Sequence, residues 1–127
     1  MELMQIGAGG REAIGAYGEH GFEIAGRVWP RSVLVLPGAV VEWPVADVAN
    51  LSVDHFEAVF EVTPPIEIVL LGCGHSSALI GGELREAVRR RGVVLEAMGT
   101  GAACRTYNLL IGEDRRVAAA LIALTPA

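Results

Sequence analysis

The chain has 127 residues, of which 52% are hydrophobic and 20% are charged, and this composition excludes an intrinsically disordered protein. Its net charge is −5 and it contains no lysine, so it lacks the positive surface expected of a nucleic-acid-binding protein. The longest apolar runs, residues 68–71 and 117–124, fall well short of the roughly 20 residues that span a bilayer. We therefore expect a globular, cytoplasmic protein with no integral membrane segment and no nucleic-acid partner.

The length predicts a single domain, because two domains would each be too small to bury a useful core. Residues 1–20 contain five glycines and show little apolar periodicity, so we expect them to form a loosely ordered N-terminal segment. Residues 21–127 are then expected to form one α/β domain.

Three short runs of β-forming residues follow the N-terminal segment, at residues 22–25, 33–36 and 40–43. Turn-forming prolines and glycines separate the runs, and this pattern predicts an antiparallel meander. Residues 53–60 then carry apolar side chains at i, i+3 and i+7, and Ser52 stands where a helix N-cap belongs. We expect a short helix there.

The second half of the chain alternates strands with helices. The predicted strands cover residues 66–71, 93–97 and 117–124; one helix lies between the first two, ending near Gly92, and another covers residues 102–111. This β-α-β-α-β order builds an α/β layer in which a right-handed crossover makes the first two strands parallel. The direction of the last strand stays open.

The first strand-to-helix turn reads Gly72-Cys73-Gly74-His75 and is a candidate ligand site, because ligands of open α/β sheets bind beyond the carboxyl ends of the strands. Its glycines allow close backbone approach, and an anion could bind at the N-terminus of the following helix. The turn matches neither the dinucleotide-binding nor the Walker pattern. Cys73 and His75 could instead act as nucleophile and base, and the remaining alternative is a tight turn around a small buried thiol.

The second strand-to-helix turn and its helix offer Thr100, Arg105 and Asn108 as ligand-binding candidates. Arg105 and Asn108 lie three residues apart on the helix, so together they can grip a carboxylate, a carbonyl or a phosphate. The structural alternative is an ion-pair network of Arg105, Glu113 and Arg115 that ties the helix to the last strand. Because Arg105 lies in an otherwise apolar helix, we expect either Glu113 or carbonyl groups of the first turn to bind it.

Cys73 and Cys104 are the only cysteines and do not form a CxxC pair, so neither structural zinc nor a disulfide framework is expected. We predict free, mostly buried thiols, and the distance between them stays open. No metal site and no cofactor are predicted.

Residues 98–110 (MGTGAACRTYNLL) and 113–122 (EDRRVAAALI) resemble the C-terminal signature of one protein family. Upstream agreement includes Phe22 at the start of a strand and Trp43 at the end of another, so the resemblance covers about residues 14–124. On these residues the chain is identified as a member of a family of largely uncharacterised prokaryotic proteins. The family is related to mitochondrial complex I assembly factor 3 and to the adipogenesis-associated domain protein.

Two positions depart from the pattern of this family: Cys73 stands where threonine is more frequent, and Asp114 stands where glycine is common. The resemblance implies a three-layer α/β fold with a mixed central sheet, one strand of which runs antiparallel to the rest. It implies no established reaction. It does imply a protein partner, such as subunits or assembly factors of a respiratory complex.

The sequence leaves two functions open. One is a non-catalytic protein-binding or assembly module, for which Tyr17, Trp29 and Trp43 are candidate interface anchors unless they pack into the core. The other is a small-ligand-binding protein or an enzyme that uses the two strand-to-helix turns. The two functions differ in whether the candidate side chains converge on a solvent-reachable pocket or are engaged in internal hydrogen bonds.

Overall fold

A computed structural model describes residues 3–5, 13–75 and 80–124 of the protein. Its strands are β1 (Leu3–Gln5), β2 (Ile14–Gly18), β3 (Gly21–Ile24), β4 (Arg27–Trp29), β5 (Val33–Leu36), β6 (Ala39–Glu42), β7 (Ile68–Gly72), β8 (Val94–Met98) and β9 (Val117–Leu121). Its helices are α1 (Glu57–Phe60), α2 (Gly82–Arg90) and α3 (Thr100–Gly112). Two 3-10 turns, at Val48–Asn50 and Val53–Phe56, come before α1. In the described part of the chain no helix has the length and apolar character needed to cross a membrane.

The main sheet is mixed and has the strand order β1-β6-β5-β9-β7-β8. Strand β7 pairs in parallel with both β8 and β9, which settles the direction of the last strand and confirms the β-α-β-α-β arrangement. Strand β5 pairs antiparallel with β9 and β6, so among β5 to β9 it is the one strand that runs opposite to the others. At the sheet edge, β1 pairs antiparallel with β6.

The antiparallel meander is confirmed, but its strands differ from the predicted ones. It is a separate three-stranded sheet of β2, β3 and β4, whereas residues 33–36 and 40–43 form the β5–β6 hairpin of the main sheet. All four residues of β5 are buried, as expected of a strand covered on both faces, while β3 exposes Glu23 between buried Phe22 and Ile24. Local periodicity shows that a strand forms, but it carries no information about which sheet the strand joins.

Parts of the segment 1–20 form strands, which differs from the expectation of a loosely ordered segment. Residues Leu3–Gln5 form β1 and Ile14–Gly18 form β2, while residues 1–2 and 6–12 lie outside the described part. The side chain of Asn108 binds the backbone of Ile14 at both its N–H and its carbonyl, with N···O distances of 2.8 and 3.0 Å. The anchor of β2 thus lies 94 residues away in sequence, out of reach of a local pattern. That residues 21–127 form one domain remains a prediction.

Two clusters of buried side chains cover the two faces of the main sheet, because alternate residues of each strand point to opposite faces. One cluster joins the sheet to α1 and α2, and within it the rings of Trp43 and Phe56 lie 5.6 Å apart. The other cluster joins the sheet to β3, β4 and α3 and contains Phe22, Trp29 and Tyr107. The predicted three-layer α/β architecture is therefore confirmed.

Both C-terminal helices end in a residue with left-handed backbone conformation. Gly92, as predicted, follows α2 with φ +87°, and Asp114 follows α3 with φ +61°. After α3 the backbone N–H groups of Asp114 and Arg115 bond back to Ile111 and Leu110, both at 3.0 Å, which is the Schellman pattern of a helix end. The family's common glycine at position 114 suits this conformation, and aspartate adopts it at a modest cost.

The β3–β4 hairpin turns on Ala25 and Gly26, which have φ values of +53° and +76°. Two positive φ values in a two-residue loop define the turn for which Asn-Gly is the preferred pair, and alanine is strained at its first position.

We predict that Ala25→Asn stabilises the protein by about 0.5–1 kcal/mol, since asparagine tolerates the left-handed region better than alanine. Urea denaturation followed by circular dichroism measures the change. Ala46→Asn, at an exposed alanine that is not among the positive-φ residues, is the matched control and should alter stability little. Equal effects of the two substitutions would contradict the strain at Ala25.

Candidate functional site

The two turns predicted as a site do meet at one edge of the main sheet, where the parallel strands β7 and β8 end. The N–H of Cys73 donates to the carbonyl of Met98 at 2.7 Å, and the N–H of Thr100 donates to the carbonyl of Gly74 at 2.8 Å. Beyond β9, the N–H of Ile122 donates to the carbonyl of the glycine that ends β7, at 3.0 Å. Backbone hydrogen bonds therefore join three strand ends.

Thr100 lies at the centre of this junction and is fully buried. Its Oγ1 donates to the carbonyl of Ile122 at 2.7 Å and accepts the N–H of Gly74 at 2.9 Å. The hydroxyl is therefore engaged by two backbone groups from different segments and is not presented to solvent.

Gly72 is required by the packing at this junction. A Cβ at this position would lie 2.9 Å from the Cα of Thr100 and 2.9 Å from its Oγ1, closer than real Cβ atoms approach. The close approach that glycine permits here is made by the start of α3, so the packing of the protein itself accounts for this glycine.

The thiol of Cys73 is half-buried, packs against the core cluster on the α1 and α2 side of the sheet, and lies 3.8 Å from the carbonyl of Leu71. His75 is exposed, and residues 76–79 after it lie outside the described part. A role for Cys73 and His75 in ligand binding or catalysis stays a prediction.

Cys104 belongs to the cluster on the opposite face of the sheet from Cys73 and is fully buried. Neither cysteine forms a disulfide, as predicted. Burial raises the pKa of the Cys104 thiol to about 12, and the nearby charge of Arg105 opposes this rise only in part. Cys104 is therefore a small apolar side chain of the core rather than a nucleophile.

Arg105 differs from its predicted surroundings. Its side chain is exposed, and its guanidinium donates to the hydroxyl of Tyr17 on β2. Among the described residues no contact joins Arg105 to Glu113 or to the carbonyls of the first turn. On α3 this residue lies on the solvent side of the helix, and the apolar neighbours in sequence do not reveal that orientation.

The ion pair predicted for the end of α3 uses a different acid. Arg115 pairs with Glu67, with 3.6 Å between Nε and Oε1, and the guanidinium of Arg116 donates to the carbonyls of Pro64 and Pro65. These contacts tie the loop before β9 to the segment before β7. The sequence predicts the cation correctly, but the acid lies 48 positions upstream of Arg115, where spacing gives no signal.

The side-chain amide of Asn108 accepts the N–H of Ile14 at 2.8 Å and donates to the carbonyl of Ile14 at 3.0 Å. Together with the engaged hydroxyl of Thr100, this contact shows that two of the candidate ligand-binding groups hold segments of the fold together.

Two of the three candidate interface aromatics are buried. Trp29 and Trp43 belong to the two core clusters, one on each face of the main sheet, and only Tyr17 is partly exposed. Both tryptophans therefore pack into the core and are not exposed interface anchors.

A cleft of about 480 Å³ lies at the end of β6, beside the start of β5 and the residues after β9. It is lined by Arg31, Ser32, Glu42, Trp43, Pro44, Val45, Ala46 and Ala123. None of these residues is among the predicted ligand-binding candidates. The available signal was Trp43-Pro44 at the end of a predicted strand, because strand ends at this edge are where α/β sheets bind ligands.

A family model described as a protein of unknown function (DUF498/DUF598) matches residues 14–122. The chain belongs to this family. The match covers the strands from β2 to β9 and the whole of the strand-end junction, and it confirms the resemblance carried by residues 98–110 and 113–122.

Named relatives of this DUF498 chain include NADH dehydrogenase [ubiquinone] 1 alpha subcomplex assembly factor 3 of Danio rerio, which is 34% identical over 122 residues. That match covers 96% of this chain and 70% of the zebrafish protein. The mammalian proteins of the same name are covered over 59 to 66% of their length, so the chain spans only part of these relatives.

Solved structures share the fold. A protein of Rhodopseudomonas palustris is 45% identical and superimposes with a TM-score of 0.76, over 87% of this chain and 82% of that one. A Mth938-like domain of Bordetella pertussis is 28% identical and has a TM-score of 0.79, over 100% of this chain and 95% of its own. The DUF498 chain thus has the fold of the Mth938-like domain.

We predict that Thr100→Val destabilises the protein by about 2–4 kcal/mol, because it leaves a buried carbonyl and an N–H without partners while preserving the shape of the side chain. Thr106→Val in the same helix is the matched control, since among the described residues the Thr106 hydroxyl donates a hydrogen bond only to the Sδ of Met98, at 3.7 Å. Its cost should stay below about 1 kcal/mol. Urea denaturation of both variants measures the difference, and similar losses would contradict the role of Thr100.

We also predict that Cys104 resists alkylation in the folded protein, whereas Cys73, which is half-buried, reacts first. With a pKa of about 12, only about one Cys104 thiol in 10⁴ is ionised at pH 8, and only the thiolate reacts. Iodoacetamide labelling with peptide mass spectrometry, with and without urea, measures the two rates. Labelling of both cysteines at one rate under native conditions would contradict the burial of Cys104.

Proposed function

We propose that the protein is a non-catalytic protein-binding module that assists assembly of a respiratory or other membrane-associated complex from the cytoplasm. The observation that carries this proposal is the similarity to complex I assembly factor 3, which extends over 96% of this chain. The shared part therefore includes nearly all of the fold described here, and subunits or assembly factors of a respiratory complex are the proposed partners.

The strand-end junction supports a non-catalytic role. The side-chain polar groups of Thr100 and Asn108 are hydrogen-bonded to the backbone of other segments, so neither group is available to bind a substrate. The alternative, a ligand-binding protein or enzyme, keeps Cys73, His75 and Arg105 as its candidate residues. Of these three residues, Arg105 is already hydrogen-bonded to Tyr17. The set of side chains that could serve catalysis is therefore smaller than the sequence suggests.

An exposed apolar position on α3 offers a way to test binding. Leu109 is 62% exposed and lies one helical turn after exposed Arg105. A partner that bound this face of α3 would bury the Leu109 side chain, so a charge introduced at Leu109 tests whether the face is a contact surface. The contact between Arg105 and Tyr17 holds this part of the α3 surface against β2.

The test is affinity capture of the tagged protein from its native cells with crosslinking and quantitative mass spectrometry. We expect respiratory-complex subunits or assembly factors to be enriched over a mock capture. Leu109→Glu should lower this enrichment about tenfold or more, because a charge in an apolar contact costs more than about 1.4 kcal/mol.

Val28→Glu is the matched control, since Val28 is also an exposed apolar residue, at 49%, but lies on β4 of the small sheet. Circular dichroism must show both variants folded. Recovery of the bait alone would count against the assembly role. An equal loss of partner with both variants would count against α3 as the contact surface.

A further inference from the structure

A smaller cavity lies next to the cleft beside β5 and β6. The cleft has a volume of about 480 Å³, and the cavity, of about 60 Å³, is lined by Trp29, Pro30, Arg31, Ser32 and Glu42. Three of these residues, Arg31, Ser32 and Glu42, line both spaces. A volume of this size lies within the roughly 300–1,000 Å³ of small-molecule sites.

Trp29 lines the smaller cavity, and its indole N–H is a buried donor without an acceptor in the described part of the chain. The residue is only 2% exposed, and its Nε1 has no hydrogen-bond partner among the described residues. A buried N–H without an acceptor costs about 1–3 kcal/mol, and buried tryptophans nearly always find one. An acceptor supplied by a bound molecule would recover that cost.

The hydroxyl of Ser32 is a second unused donor in the same cavity. Ser32 is 4% exposed, its Oγ accepts the N–H of Ala123 at 2.9 Å, and its carbonyl accepts the N–H of Trp43 at 2.9 Å. These two contacts hold the residue in place but use none of its donor capacity, and its hydroxyl hydrogen has no acceptor among the described residues. Two residues of the cavity lining, Trp29 and Ser32, therefore carry buried donors without an acceptor in the part of the chain that the structure describes.

The charges at the cleft favour an uncharged ligand. Arg31 and Glu42 face each other with 3.6 Å between Nη1 and Oε1, so the positive charge at the opening is already balanced. The Glu42 carboxylate would repel a carboxylate ligand, whereas it would not repel a neutral carbonyl in this way. The remaining wall is apolar, and the indole N–H of Trp43 is already bonded to the carbonyl of His55 at 2.8 Å.

We propose that this cleft binds an uncharged small molecule that carries a carbonyl oxygen on an apolar ring or chain. The carbonyl accepts from the Ser32 hydroxyl and the Trp29 indole, and the apolar body lies against Trp43, Pro44 and Val45. This site shares no residue with the predicted turn site or with the α3 surface, so it is independent of the assembly role.

The test uses the two tryptophan indole resonances in ¹⁵N-resolved NMR spectra of the full chain, titrated with benzamide, benzoate and toluene. We expect benzamide to bind saturably, to shift the Trp29 indole proton more than that of Trp43, and to bind at least about tenfold tighter than the other two probes. Tenfold corresponds to about 1.4 kcal/mol, the scale of one hydrogen bond.

Two alanines give matched variants. Ala46→Leu narrows the cleft and should weaken benzamide binding about tenfold or more, while Ala49→Leu, at an exposed alanine away from the cleft, should leave it unchanged. Glu42→Gln should reduce the preference for benzamide over benzoate, because it removes the repulsion of the acid. No saturable shift up to the solubility limit, equal binding of all three probes, or an unmoved Trp29 indole would each overturn the proposal.

Discussion

One buried hydroxyl group, that of Thr100, joins the three segments on which the C-terminal half of the fold depends. It donates to the chain after β9 and accepts from the turn after β7, while its own residue begins α3. Position 72 requires glycine because Thr100 packs so closely against it that no Cβ atom would fit between them. The register of the parallel strands and the start of α3 are therefore held by the same contact.

A second long-range contact extends this framework to the N-terminal part. Asn108, two turns farther along α3, bonds to Ile14 and places the small sheet over one face of the main sheet. The small sheet contributes Phe22, Ile24 and Trp29, which complete the core on that side. Helix α3 is thus both a layer of the core and the clamp that holds β2.

Most of the candidate functional residues of α3 are used by the fold itself, and this limits the surfaces that can bind other molecules. Within α3, Ala103, Cys104 and Tyr107 are buried in the core, and Thr100 and Asn108 hold other segments, so most of the segment that resembles the family serves the fold. Among the described residues, the exposed side of α3 around Leu109 and the cleft beside β5 and β6 are two surfaces available to other molecules. The first suits a protein partner, and the second has unused donors that suit a small carbonyl compound.

The sequence alone determined the elements of the second half, their order, the helix end at Gly92 and the family, because strand and helix periodicity and turn residues are local properties. Only the tertiary structure decided the partition of the N-terminal strands between two sheets, the pairing of Arg115 with Glu67 and the exposure of Arg105. It also decided that Thr100 and Asn108 bind backbone groups and that Trp29 and Ser32, which carry unused donors, line one cavity. Each of these depends on contacts between residues far apart in the chain, and hydrogen-bonding capacity read from a residue type does not show which distant group will use it.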